Sequence, residues 1–181
     1  LPAPRENEVK LKVASAGDAR ADLARRGAVR VRPRHFEDNV LFDDQARSLA
    51  RRGCVLRVRT TDAGGVLTYK GPRTDREGVK TREEWETEMA DPAAARAIVE
   101  ALGFRPVFRY QKFREVYRWS GVEIVVDETP IGSFLEIEGE LPAIHAAAAA
   151  LGYGPGDYIR ESYAALFLAA GGTGHMVFPP A

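Results

Sequence analysis

Alternation of apolar and polar residues is the dominant pattern along this chain, and it predicts strands. Residues 6–13 alternate strictly. Residues 55–61 and 66–70 flank Asp62-Ala63-Gly64-Gly65, a hairpin signal with glycine where positive φ is needed, and Gly71-Pro72 stops the second strand. Residues 80–89 alternate again, and 30–42 form a mixed stretch carrying Phe36 and Phe42. Further on, the pattern predicts strands over 106–110, 112–119, 122–127 and 133–139, with Gly121 turning the chain before the third of these. Helical signals are fewer. Asp91-Pro92 opens a helix with an N-cap and a first-turn proline; Ile98, Val99 and Leu102 give it an apolar stripe, and Gly103 ends it. Residues 43–52, 141–151 and 157–169 read as helices, and 171–181 as a mobile Gly/Pro-rich tail. About eight strands joined largely by tight turns predict an α+β fold, a closed eight-stranded antiparallel β-barrel with flanking helices, because closure removes sheet edges.

The polar face of these strands is unusual. Residues two apart share a face. Glu6, Glu8, Lys10 and Lys12 therefore oppose Val9, Leu11 and Val13, and Arg57 and Arg59 oppose Leu56 and Val58. Lys80, Arg82, Glu84 and Glu86 oppose Trp85 and Met89; Lys112 and Arg114 oppose Phe113; Glu136 and Glu138 oppose Leu135 and Ile137. A solvated outer face explains any one such strand. Across all of them the polar positions are almost entirely charged, and like charges stand two apart. If the helices pack on the apolar face, the charged face points into the barrel. A small barrel ordinarily fills its interior with apolar side chains, so a charged lumen calls for a ligand and metal ions to balance it.

Composition bounds the function. With 181 residues, the chain fits one domain, taken as 1–170 followed by the tail. Lys plus Arg and Asp plus Glu are both 26, so the net charge is zero and the basic surplus of a nucleic-acid coat is missing. A single cysteine, Cys54, excludes an internal disulfide and a cysteine zinc cluster. No stretch has the length of a membrane span and no signal peptide is visible, so a cytoplasmic location with no membrane partner is the expectation. His35, His145 and His175 are too scattered for a histidine metal site, and Trp85 and Trp119 read as core. Lys10, Arg57, Arg59, Lys70, Arg82, Lys112 and Arg114 are cations suited to a polyanion. Glu6, Glu8, Asp127, Glu136 and Glu138 are hard oxygen ligands suited to Mg²⁺ or Mn²⁺. Together they suggest a metal–phosphate substrate.

Glu6-Asn7-Glu8-Val9-Lys10 fits a Glu-x-Glu-x-Lys motif. It is followed in order by Leu56-Arg57-Val58-Arg59, Leu67-Thr68-Tyr69-Lys70-Gly71-Pro72, Arg82-Glu83-Glu84-Trp85-Glu86, Lys112-Phe113-Arg114 and Ser133-Phe134-Leu135-Glu136-Ile137-Glu138. This ordered set resembles the CYTH superfamily, the triphosphate tunnel metalloenzymes. His35-Phe36, Lys70-Gly71-Pro72 and Arg160-Glu161-Ser162-Tyr163 look most like its class IV adenylate cyclase branch, although 37–43 lacks the Gln and Tyr of close cyclase relatives. The resemblance implies a tunnel barrel that binds a triphosphate with divalent metal. Lys10, Arg57, Lys70, Arg114 and Glu136 are then the expected catalytic set. Arg57, Arg59, Lys70, Lys112 and Arg114 form the phosphate clamp, with Lys10 and Arg82 behind, and Glu6, Glu8, Asp127, Glu136 and Glu138 hold metal. The leading expectation is hydrolysis of inorganic triphosphate, ATP or thiamine triphosphate by a monomer or homodimer. Cyclisation of ATP to cyclic AMP and pyrophosphate is the alternative, and non-catalytic binding of triphosphate or polyphosphate is a third.

Overall fold

The computed structural model describes residues 4–180; Leu1, Pro2, Ala3 and Ala181 lie outside the described residues. Among the described residues nine strands and five α-helices follow one another as β1 (Arg5–Val13), α1 (Ala16–Arg25), β2 (Val29–Asp43), α2 (Ser48–Arg51), β3 (Val55–Thr61), β4 (Gly64–Lys70), β5 (Thr74–Arg76), β6 (Val79–Met89), α3 (Pro92–Ala101), β7 (Arg105–Trp119), β8 (Val122–Thr129), β9 (Gly132–Glu138), α4 (Leu141–Ala150) and α5 (Tyr163–Ala169). The sheet order is β1-β9-β8-β7-β2-β3-β4-β6, and β1 pairs back to β6, so eight antiparallel strands close on themselves. β5 is the extra strand, a short hairpin partner of β6. Closure leaves the alternating strands with one outer and one inner face.

The helices cover the outer face. Val9, Leu11, Ile124, Val126, Leu135 and Ile137 form the largest apolar cluster with Ala19 and Leu23 of α1 and Ile144 and Ala148 of α4. Full burial of such side chains contributes about 1.5–3 kcal/mol each, so this packing fixes which face of the sheet is outside. A second outer cluster joins Val40, Phe42 and Val58 to Val99 of α3. There Gly65 of β4 lets α3 approach: a Cβ at this position would stand 2.7 Å from the Pro92 Cβ and 2.9 Å from the Arg59 carbonyl oxygen.

Several elements differ from the sequence pattern. α1 was not signalled, though Ser15 caps it by accepting from the Asp18 amide. The 43–52 stretch is helical only over Ser48–Arg51, because Asp43 and Asp44 turn their carboxylates onto the amides of Ser48, Leu49 and Ala50 as caps. β7 is one 15-residue strand, continued through Gln111 by pairing along β2. The 157–169 stretch is not one helix. Residue Ile159 is extended and donates its amide to the Lys10 carbonyl at 2.8 Å, covering an open edge of β1, and the helix begins only after the Ser162 cap. Trp85, expected in the core, is 44 % exposed.

The C-terminal segment also differs from the expected mobile tail. Its Met176 is fully buried and runs beside the part of β7 that β8 does not reach. The Met176 amide donates to the Arg109 carbonyl at 3.0 Å, and the Gln111 amide donates to the Met176 carbonyl at 2.9 Å. Met176 joins inward-facing Phe108, Tyr110 and Phe134 and the α5 residue Tyr163 in an apolar plug at one end of the barrel. The cavity extends from this plug to the other end, where Arg5, Gly121 and Gly139 line it.

Candidate active site in the barrel lumen

The lumen is a cavity of about 860 Å³ lined by charged side chains from the inner face of the barrel. That volume lies within the ordinary range for small-molecule sites. All seven expected cations, Lys10, Arg57, Arg59, Lys70, Arg82, Lys112 and Arg114, line it, as do Glu6, Glu8, Glu136 and Glu138. Strand register brings them level with one another: Lys10 pairs Glu136 across β1–β9, Arg57 pairs Thr68 across β3–β4, and Arg114 pairs Asp127 across β7–β8.

Every cation of the expected clamp is held by a neighbouring acceptor. Arg57 donates from Nη2 to Glu86 and Thr68, each at 3.0 Å, and from Nη1 to the Tyr110 hydroxyl at 3.2 Å. Arg59 reaches Asn39 at 3.1 Å and Glu37 at 3.1 Å. Lys70 contacts Glu6 at 2.8 Å and Glu84 at 2.6 Å. Lys112 donates to Asp127 at 2.9 Å and lies 3.6 Å from Glu37. Arg114 grips Asp127 with two bonds of 2.8 and 2.6 Å and also pairs with Glu136. Lys10 lies 3.3 Å from Glu136 and over the Tyr163 ring, 4.4 Å from its centroid. Arg82 is the exception among the seven: it donates to the backbone carbonyls of Gly53 and Gly71, closing the strand ends rather than pairing with a lumen acid.

Buried charges of this kind are tolerated only when paired. Burial works against the charge of Glu136, yet Lys10, Arg114 and Lys112 hold its carboxyl well below the usual range. Burial likewise opposes the charge on Glu37, and Arg59, Lys112 and Arg114 overcome it. The acids nearer β6 behave oppositely. Burial, then a hydrogen bond with Glu6, pushes Glu84 up to about 8. Burial also disfavours charge on Glu6, but the Glu84 hydrogen bond and the Lys70 charge outweigh it and bring Glu6 to about 2.

The carboxylates separate into two groups. Glu6, Glu8 and Glu138 each place an oxygen within 4.8 Å of the others, the spacing of a cation site. Burial, then the charges of Glu6 and Glu8, pushes Glu138 up to about 8. Three acids converging with too little positive charge to ionise them all, and offering only hard oxygens, fit a divalent cation such as Mg²⁺ or Mn²⁺. Asp127 and Glu136, expected as metal ligands, do not belong to that group. Asp127 is fully buried and accepts from Lys112, Arg114 and the Tyr163 hydroxyl, the last at 2.9 Å, so both of its oxygens already have donors within the protein. Glu136 is similarly engaged between Lys10 and Arg114.

Sequence reading did not count five residues of the barrel interior among the candidate site. Glu37 and Asn39, both fully buried, escaped because β2 lacks clean alternation. Lys80, which pairs with Glu8, was visible in the alternation of β6 but carried no motif. Tyr110 gave no signal, and Tyr163, which packs in the plug as read, also reaches Asp127 with its hydroxyl.

A CYTH domain family model matches residues 4–163. A Methanocaldococcus jannaschii protein provisionally named an adenylate cyclase is 31% identical over 141 residues, covering 77% of this chain and 79% of that protein. Among solved structures, a protein of Vibrio parahaemolyticus, also provisionally named an adenylate cyclase, superposes with a TM-score of 0.80 at 18% identity, covering 92% of this chain and 99% of that one. A Hippeastrum protein superposes at 0.70 with 25% identity, covering 93% of this chain and 97% of that one; it is provisionally named an adenylyl cyclase and described as revealing a dominant triphosphatase activity. The charged lumen thus stands in a closed barrel that a single family model spans almost end to end, and the chain belongs to the CYTH domain family.

Proposed function

We propose that this protein is a divalent-metal-dependent triphosphatase that binds a triphosphate in the barrel lumen and releases phosphate. The observation that carries this reading is the juxtaposition, in one cavity, of a cation arc from Arg57 to Arg114 with the Glu6–Glu8–Glu138 group. Only a ligand both polyanionic and metal-binding answers both halves. Glu6, Glu8 and Glu138 would hold Mg²⁺ or Mn²⁺, which when bound supplies charge neutralisation of phosphate oxygens and a more acidic water.

The remaining work falls to the side chains. Arg57, Arg59, Lys70, Lys112 and Arg114 bind and orient successive phosphates and stabilise charge that develops on the leaving group. Lys10 adds a charge on the β1 side. Glu136 and Asp127 hold the side-chain ends of Lys10, Lys112 and Arg114 in place before substrate arrives. The plug of Phe108, Phe134, Tyr163 and Met176 keeps water from entering behind the clamp. Glu84, pushed to about 8, carries a proton near neutral pH. It is therefore placed to exchange that proton with Glu6 as the charge of the site changes.

A second reading, cyclisation of ATP, is favoured by the name of the Methanocaldococcus jannaschii relative. Product analysis separates the two. Purified protein is incubated with inorganic triphosphate or ATP, in Mg²⁺ and separately in Mn²⁺. Orthophosphate from triphosphate, with little product from ATP, is the expected result. Cyclic AMP with pyrophosphate replaces this reading with the second, and binding without turnover of either overturns both.

A further inference from the structure

We propose that Tyr110 is a further substrate-contacting residue of this site, its phenolic hydroxyl being an uncharged hydrogen-bond donor to the phosphoryl oxygen that Arg57 holds. The proposal rests on the triphosphate reading above. Tyr110 precedes Lys112 by two residues on β7, so alternation puts it on the lumen face with Lys112 and Arg114. It is only 8 % exposed, and it lines the cavity.

The ring is fixed from several sides. It stacks on Phe108 at 6.3 Å between centroids and tilts against Tyr163 at 6.4 Å. The flanking backbone is tied to Met176 by the two hydrogen bonds described above. The hydroxyl is therefore positioned before any ligand enters, which is what makes a donor effective in an electrostatic site.

The hydrogen-bond accounting shows what the hydroxyl still lacks. Its oxygen accepts from Arg57 Nη1 at 3.2 Å, which directs its own proton away from the guanidinium. Among the described residues that proton has no acceptor. Tyr163 provides the contrast, because its hydroxyl donates its proton to Asp127 Oδ2 at 2.9 Å. A buried donor without an acceptor is costly, and a phosphate oxygen arriving at Arg57 would satisfy it. Burial raises the Tyr110 pKa, but Arg57, Lys112 and Arg59 outweigh burial and draw it below the ordinary value, which strengthens the O–H as a donor. The uncharged group also suits its place. A further cation would need yet another buried carboxylate, whereas a hydroxyl adds a donor without altering the charge balance.

The test is Tyr110→Phe, which keeps the ring and leaves Arg57 its bonds to Thr68 and Glu86. Circular dichroism and the melting temperature establish that the variant folds. Wild type and variant are titrated calorimetrically with imidotriphosphate, a non-hydrolysable analogue, in Mn²⁺, and with Mn²⁺ alone. Phosphate release from inorganic triphosphate is followed in parallel. The expected result is about tenfold weaker analogue binding, the size of one hydrogen bond to a charged group, with kcat/KM lowered at least as much. Binding of Mn²⁺ alone is unchanged, an outcome a general structural defect would not produce. Analogue affinity within twofold of wild type overturns the role of Tyr110, even if wild type hydrolyses triphosphate. If wild type binds the analogue without hydrolysing triphosphate and the variant binds it tenfold less well, hydrolysis fails while the role of Tyr110 stands. No analogue binding by wild type overturns both.

Discussion

Glu138→Gln provides a direct test of whether the Glu6–Glu8–Glu138 group is held together against its own charge. In the metal-free protein Glu138 is raised from the ordinary 4.5 to about 8. At 1.36 kcal/mol per pKa unit, that rise corresponds to a few kcal/mol, roughly 3–5, of unfavourable ionisation in the folded state. The sign follows from linkage. Between pH 4.5 and about 8 the folded protein holds a proton at Glu138 that the unfolded chain has released, so stability falls as pH rises through this window. Glutamine removes the titration while keeping the size of the side chain. Urea unfolding of wild type and Glu138→Gln, in chelator, at pH 5 and pH 9, is the assay. Wild type should lose roughly 2–5 kcal/mol more than the variant between the two pH values. Glu84, which titrates near the same pH, does so in both proteins and cancels in the comparison. Added Mn²⁺ should raise the stability of wild type at pH 8 and that of the variant much less, because a ligand stabilises only the state that binds it. Parallel pH dependences, with equal stabilisation by Mn²⁺, would show that Glu138 is not raised by burial beside Glu6 and Glu8.

Arg57→Ala should weaken triphosphate binding by at least tenfold while changing orthophosphate binding little, because the clamp works across several phosphates; calorimetry showing equal losses would reject the shared clamp. Glu136→Gln should abolish turnover and also destabilise the fold by about 3–5 kcal/mol, since it strips a buried carboxylate from Lys10 and Arg114; wild-type rates with an unchanged melting curve would contradict that pairing. Met176→Ala should cost about 2–5 kcal/mol in urea unfolding and speed amide exchange of Gln111, whose N–H donates to the Met176 carbonyl; unchanged exchange would show that the segment does not depend on its anchor.

The barrel was legible in the sequence because its signal is local. Two-residue periodicity within 6–13, 55–61 and 80–89 belongs to each strand separately, and the apolar parity of Val9, Leu11 and Val13 already says which face the helices must cover. The ordered charges identified most of the lumen for the same reason. What could not be read locally was which charge meets which. Asp127 and Glu136 carry the same chemistry as Glu6 and Glu138, and no strand by itself shows which acid pairs with a cation and which converges with other acids. Register does: β7 against β8 gives Asp127 to Arg114, and β1 against β9 sets Lys10 beside Glu136 while Glu8 meets Glu138.

The C-terminal segment makes the complementary point. Its glycines and prolines describe a chain with little structure of its own, and that holds for its local preferences. Order comes from elsewhere: an edge of β7 beyond the reach of β8 offers unpaired backbone groups, and inward-facing aromatics offer Met176 a dry socket. Ile159 answers the open edge of β1 in the same way and so interrupts a stretch of helical composition. A barrel with a charged interior could be read from the chain, because periodicity and charge are properties of neighbouring residues. Which charges pair, how one barrel end closes and where the Tyr110 hydroxyl meets Arg57 came from the tertiary structure, because each depends on residues that meet only when the sheet closes.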